Sequence, residues 1–380
     1  MKAFVNGTIL TGTGSKLKQG TLIINNNKIV NVGKDIAIPA EAEIIDVAGK
    51  YVTPGLIDVH THLGVFSEGL GQAGHDFNET TDAATPYIRA IDGINPFDRG
   101  FEDARMAGVT TVQIMPGSAN VIGGEMSIIK TVGTVVDEMI VKSPSGMKAA
   151  FGENPKRVHG GKGKLPVTRM GVAALFRQQF MKAQDYKRQL EAGEVKTRDL
   201  GMEQLVKVLN KEIPLRAHAH RADDIATLLR LIKEFDIEAT IEHCTEGHLI
   251  TAFIAKHDVR VSVGPTMTSR TKQELNNKGW HTLVELEKHN IPFSITTDHP
   301  VVTIDHLITS AITAVKFGLS EESAFKAITI RAAEHLGIEN QVGSLEEGKD
   351  ADLVIWSDSP FSSNAVVQET FINGESVYTE

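Results

Sequence analysis

The chain has 380 residues, 41 % of them from the apolar set AVILMFWYC, and its 39 Lys and Arg against 48 Asp and Glu leave a formal charge of −9. Such content supports a sizeable buried core and excludes a chain disordered throughout, while the acidic balance argues against nucleic acid as a partner. No run approaches ~18 consecutive apolar residues, so no transmembrane helix and no membrane partner are expected.

The amino-terminal MKAFVNGTILTGTG lacks the apolar stretch of a secretory signal, and a single cysteine, Cys244, fits a reducing cytoplasm, the expected location. Residues 3–10, 20–24 and 28–32 are predicted strands, punctuated by Gly-Thr-Gly and by Asn25-Asn26-Asn27. The middle of the chain then alternates. Short apolar or β-branched runs at 109–115, 147–151, 213–219, 239–243, 259–263 and 293–297 predict strands. Helical patterns fall at 96–107, 166–192, 199–211, 222–235, 248–257, 283–290 and 305–317. Residues 351–356 and 365–378 return to β character, with Asn373-Gly374 as a hairpin turn.

Strand–helix alternation over ~290 residues predicts an α/β fold, a (β/α)8 TIM barrel spanning 54–342, with all its strands in a parallel sheet. The β-rich ends, 1–53 and 343–380, predict one small composite β-sandwich domain, since chain termini often lie close together. A doubly wound sheet is disfavoured because no G-x-G-x-x-G follows an early strand. The loop 116–125 (PGSANVIGGE) lacks the Lys-Ser/Thr ending of a phosphate-binding loop, and HGGKGK at 159–164 reads as a mobile loop.

Chemistry enters at the strand ends. GLIDVHTHLG at 55–64 places His60 and His62 one pleat apart on one face of a strand, an expensive end unless a metal binds both imidazoles. LRAHAH ends in His218 and His220, TIEH in His243, and SITTDH in Asp298 and His299. In a barrel the carboxyl-terminal strand ends share one rim. The set therefore predicts a divalent metal site of N and O donors, suited best to Zn and also to Fe, Mn or Ni. His218 and His220 share a face, so either serves as the ligand of their strand. A second ion needs a bridge, and MKAAFGENP offers Glu153, at the strand end, or a carboxylated Lys148. Five residues apart, the two lie on opposite faces and one alone points inward; Glu153 is preferred for its place at the rim. Arg169, Arg221 and Arg270 are candidate clamps for a substrate carboxylate, and His299 a further lining residue. Cys244 reads as a core thiol.

The segment PGLIDVHTH at 54–62 resembles the opening motif of the metal-dependent amidohydrolase superfamily, and GSLEEGKDADLVI at 343–355 resembles its closing motif. The branch it resembles contains imidazolonepropionase and related enzymes. The resemblance implies a distorted barrel with one or two metals, His60, His62 and Asp298 holding one ion, His218 and His243 a second, and Glu153 between them. It also implies a small-molecule substrate and a homo-oligomer. In that reading a divalent cation lowers the pKa of a bound water to ~7, Asp298 acts as general acid/base, and His243 or His220 faces the oxyanion. Hydrolysis of an amide or cyclic, imidazolone-like amide leads. A metallo-dipeptidase and a non-catalytic scaffold are the alternatives. An adenosine-deaminase-like site wants Glu three residues after the fifth-strand His, where Arg221 stands.

Overall fold

The computed structural model describes all 380 residues, organised around two eight-stranded sheets. The amino-terminal segment supplies β1 (Lys2–Leu10), β2 (Lys16–Asn25), β3 (Lys28–Gly33), β4 (Glu43–Asp46) and β5 (Tyr51–Pro54). The middle supplies β6 (Leu56–Thr61), β7 (Val109–Ile114), β8 (Ile122–Lys130), β9 (Ile140–Ala150), β10 (Leu215–Ala219), β11 (Ala239–His243), β12 (Arg260–Val263) and β13 (Phe293–Ile295). The carboxyl terminus adds β14 (Leu353–Trp356), β15 (Val367–Ile372) and β16 (Glu375–Thr379).

The two ends of the chain do meet. β14 pairs antiparallel with β5, and the strands run β16-β15-β14-β5-β1-β2-β3, with β4 on the first half of β1. This is one continuous sheet. Alternation along β2 faces Leu22 and Ile24 the same way, and register shifts in β1 between Phe4 and Ile9 bring both of those residues into the same core, with Val52, Leu353, Ile355 and Phe371. Val354, Trp356 and Val367 instead join the large core beneath the middle sheet. Lys130, at the end of β8, is buried between Asp352 Oδ2 at 2.6 Å and Asp350 Oδ2 at 3.0 Å, an ion pair that fastens the two sheets to each other.

The middle sheet has the order β13-β12-β11-β10-β9-β8-β7-β6 and is a nearly closed barrel. Its strands are not all parallel. β8 runs antiparallel to both β7 and β9, so two hairpin-like connections replace one strand–helix unit. The sequence hides β8 because Gly123-Gly124 interrupts it. Gly124 is required there: its φ is +128°, and a Cβ would stand 2.4 Å from Ile88 O of the loop laid against it. HGGKGK also departs from a simple loop, since His159 lies inside the helix Glu153–Gly160, buried, with Nε2 2.8 Å from Asn120 Oδ1. No helix is long and apolar enough to cross a membrane.

β13 and β6 share no strand ladder. Side chains and loop backbone close the gap: Asp298 N donates to His60 O at 3.1 Å and His62 N to His299 O at 2.8 Å. Asp58, wholly buried on β6, accepts from Thr296 Oγ1 at 2.5 Å and from Thr297 N and Oγ1 at 3.0 and 2.6 Å. Burial pushes this carboxyl up to about 6 despite those donors.

Candidate metal centre

Period-two alternation aims His60 of β6, Lys148 of β9 and His218 of β10 into the barrel, and His62 and His220, each one residue past its strand, keep the same side. On β11 the adjacent Glu242 and His243 begin on opposite faces. His243 leaves the extended region at φ +71°, and both side chains end against His60. Asp298 is likewise left-handed, at φ +55°. Backbone in this region is costly for non-glycine residues and collects at functional sites.

Each of the five imidazoles is held through Nδ1. His60 meets Glu242 Oε2 at 3.1 Å, His62 meets Met115 O at 2.9 Å, and His243 meets Gly264 O at 2.7 Å. A carbonyl or ionised carboxylate only accepts, so these three Nδ1 atoms carry the proton and their Nε2 atoms present a lone pair. His218 and His220 are held by hydroxyls, Ser118 Oγ at 2.9 Å and Thr245 Oγ1 at 2.7 Å. Burial pushes His60 down to about 3 and holds His218, His220 and His243 below the ordinary histidine range, so all four are neutral donors.

The free atoms converge in two groups, His218 with His220 and His243, and His60 with His243 and Asp298. Asp298 Oδ1 lies 3.3 Å from His62 Nε2 and 3.5 Å from His60 Nε2. His243 Nε2 and Asp298 Oδ1 are buried with no hydrogen-bond partner, the state expected of atoms that complete their shell with a cation. The donor set therefore fits a divalent metal. Lys148 Nζ stands 3.1 Å from His60 Nε2, and burial, outweighing Asp298 and Glu242, pushes its ammonium down to about 8. His62, His218, His220 and Asp298 form the floor of an open cavity of about 860 Å³.

A model of the amidohydrolase family matches residues 51–377. The chain belongs to that family. Members are hydrolases that generally depend on a metal, and the cluster of His and Asp described above is one that could hold it. The crystal structure of an amidohydrolase from Thermotoga maritima is 43 % identical over the whole of both chains, with a TM-score of 0.97. Amidohydrolase tasK of Hapsidospora irregularis is 28 % identical over 97 % of this chain, which spans 41 % of that longer protein. Imidazolonepropionase of Colwellia psychrerythraea is 23 % identical over 93 % of this chain and 90 % of its own.

Against this amidohydrolase frame several expected residues move. Glu153 is not at the bridge. It opens the helix Glu153–Gly160 with its N–H bonded to Glu274 Oε2 at 3.0 Å, and Lys148 takes the inward position instead. The three arginines are engaged elsewhere, and none lines the cavity. Arg169 pairs with Asp224 and Arg221 with Asp223, each at 2.9 Å, while Arg270 donates to Asn276 O and Lys278 O at 3.0 and 2.9 Å. His299 is buried behind the site, its Nδ1 accepting from Ile304 N at 3.2 Å. His218 and His220 are both present at the cluster. Cys244 is buried, which pushes its thiol up to about 12.

Three buried carboxylates escaped the sequence reading. Glu242 accepts from Thr240 Oγ1 and Ser262 Oγ, both at 2.5 Å, and from His335 Nε2 at 3.1 Å, besides His60. Burial alone would raise its pKa; His335 and His60 outweigh burial and hold it well below the usual range. Asp58 braces the barrel seam. Glu274 Oε1 lies 3.7 Å from both His218 Nε2 and His220 Nε2 and 2.7 Å from Lys272 Nζ. The period-two spacing of Thr240 and Glu242, and of Asp58 with His60, was the available signal that these acids point inward.

Proposed function

We propose that this amidohydrolase is a divalent-metal hydrolase that cleaves a C–N bond, of an amide or a cyclic, imidazolone-like amide, in a small molecule. One observation carries the reading: buried histidine side chains and the unpartnered Asp298 Oδ1 converge at the floor of a cavity of about 860 Å³, of a size usual for small ligands. His60, His62 and Asp298 would hold one ion. His218, His220 and His243 would hold another, with Lys148 between the two as a carbamate. Zn suits these donors best. When bound, such a cation acidifies a water and polarises a carbonyl.

The chain's own groups supply the rest. Asp298, set against His60 and His62, accepts the proton of the attacking water through one oxygen and returns it to the departing nitrogen. Phe66, Phe77 and Val301 exclude water around the apolar part of the substrate. A dipeptide is the second reading, supported by the room above the floor.

The test is metal analysis of protein purified without added metal, followed by a screen of cyclic amides, N-acyl amino acids and dipeptides with Zn restored. Zn, Fe or Mn bound by the wild type and lost in His60→Ala, together with hydrolysis that follows the metal, is the expected outcome. Metal-free wild-type protein, or hydrolysis untouched by His60→Ala, would overturn the proposal.

A further inference from the structure

One wall of the cavity is the helix Glu153–Gly160, which leaves the barrel directly after β9 and begins beside His218. Its start is fixed in place. Gly152 has φ +90°, and a Cβ there would stand 2.8 Å from Asp224 Oδ2 and 2.9 Å from Glu274 Oε2. Asn154, Arg157 and Val158, at spacing i, i+3, i+4, turn one face of this helix toward the cavity. Asn154 marks the metal end, with Nδ2 3.5 Å from His218 Nε2 and Oδ1 accepting from Lys272 Nζ at 3.2 Å. Arg157 stands one turn further out, ~5–6 Å along the wall.

Two cationic side chains other than histidine line this cavity, Lys272 and Arg157. Lys272 is neutralised by Glu274 at 2.7 Å. Arg157 has no ion-pair or side-chain hydrogen-bond partner, in contrast to Arg169, Arg221 and Arg270. The single acid lining the cavity, Asp298, faces His60 and His62 on the floor. The wall thus carries one unpaired, solvent-exposed guanidinium, and the apolar Val158 and Leu275 line the same cavity.

Resting on the hydrolase reading above, the geometry points to Arg157 as the carboxylate anchor of the substrate. The substrate class is a small amide or cyclic amide with an apolar middle and a carboxylate that lies beyond Asn154 from the scissile carbonyl. A guanidinium fork receives a carboxylate through two parallel N–H···O bonds. Asn154, between anchor and metal floor, holds the amide portion in register.

The experiment compares wild type, Arg157→Met and Arg157→Lys on matched pairs of Zn-dependent substrates, each as the free acid and as its carboxamide. Calorimetric titration of the Zn-loaded proteins with glutarate and with 1,5-pentanediol supplies a readout without turnover. Arg157→Met should raise KM for the acid, and weaken glutarate binding, by roughly ten- to a hundredfold, the range for a hydrogen bond to a charged group. It should leave kcat within a few-fold and the carboxamide unaffected, and Arg157→Lys should restore part of the loss. Equal effects on acid and carboxamide, unchanged KM and glutarate affinity, or a wild type that does not bind glutarate would overturn the anchor. Arg157-dependent glutarate binding in a protein that hydrolyses none of the pairs would keep the anchor and sink the hydrolase reading.

Discussion

Glu242→Gln isolates what a buried acid does for the metal centre while leaving volume and shape in place. Glu242 Oε2 serves His60 and Ser262, and Oε1 serves His335 and Thr240. An amide has one accepting oxygen, so its NH2 must confront one of these donor pairs, and the remaining bond to an imidazole is no longer charge-assisted. A hydrogen bond to a charged group contributes ~1.5–3 kcal/mol. At ~1.4 kcal/mol per decade, that is roughly ten- to a hundredfold in metal affinity, the range seen when the carboxylate behind a ligating histidine is removed. Competition for Zn against a chelator of known affinity, near neutral pH, measures it directly. Circular dichroism on the same samples verifies the fold. Affinity within twofold of wild type in a folded variant would refute the reasoning and leave Glu242 as internal bracing.

Lys148→Met should cut metal retention and hydrolysis together by roughly a hundredfold or more, whereas Glu153→Gln should leave both near wild type; metal content and kcat/KM on one screened substrate decide between them. Lys130→Met should cost ~3–5 kcal/mol in denaturant unfolding by leaving Asp352 and Asp350 without their buried partner. The pH dependence has a definite sign. Burial alone would raise Asp350, but Lys130 and Lys28 outweigh it and hold it below 3.8, so its share of that stability is present above about pH 4 and lost as pH falls through the depressed value. Lys130 is raised above 10.5, its two carboxylates outweighing burial, so its share is full below that value and lost as pH rises through the raised one. Unfolding curves of wild type and Lys130→Met that stay equally far apart down to pH ~2 would contradict this.

The barrel, the composite terminal sheet and the strand-end histidines that the structure brings together with Asp298 were legible because their signals are local. His60 and His62 announce themselves by period-two spacing at the end of an apolar strand, and residues 222–235 by a helical stripe that the structure reproduces as Ala222–Phe235. What stayed hidden depends on partners distant in the chain. Whether Arg169 is free is decided by Asp224, 55 residues along the chain, whereas Arg270 is engaged within its own loop by the carbonyls of Asn276 and Lys278, which no side chain announces. The choice between Lys148 and Glu153 turned on where β9 ends: at Ala150, so that Glu153 already belongs to a helix. β8 escaped because Gly123-Gly124 looks like a loop until the strand is seen to need Gly124 for the close approach of Ile88.

The open seam of the barrel has a consequence for how metal and fold depend on each other. His60 and His62 stand on its first strand, and Asp298 follows its last, across a gap that no ladder of backbone bonds spans. An ion gripped by all three is therefore a rivet through the join between the two edges of the sheet. Chelation should free those edges as well as the chemistry, with amide exchange rising at residues 57–62 and 296–299 ahead of the rest of the cylinder, because binding energy spent on that ion is also energy of closure.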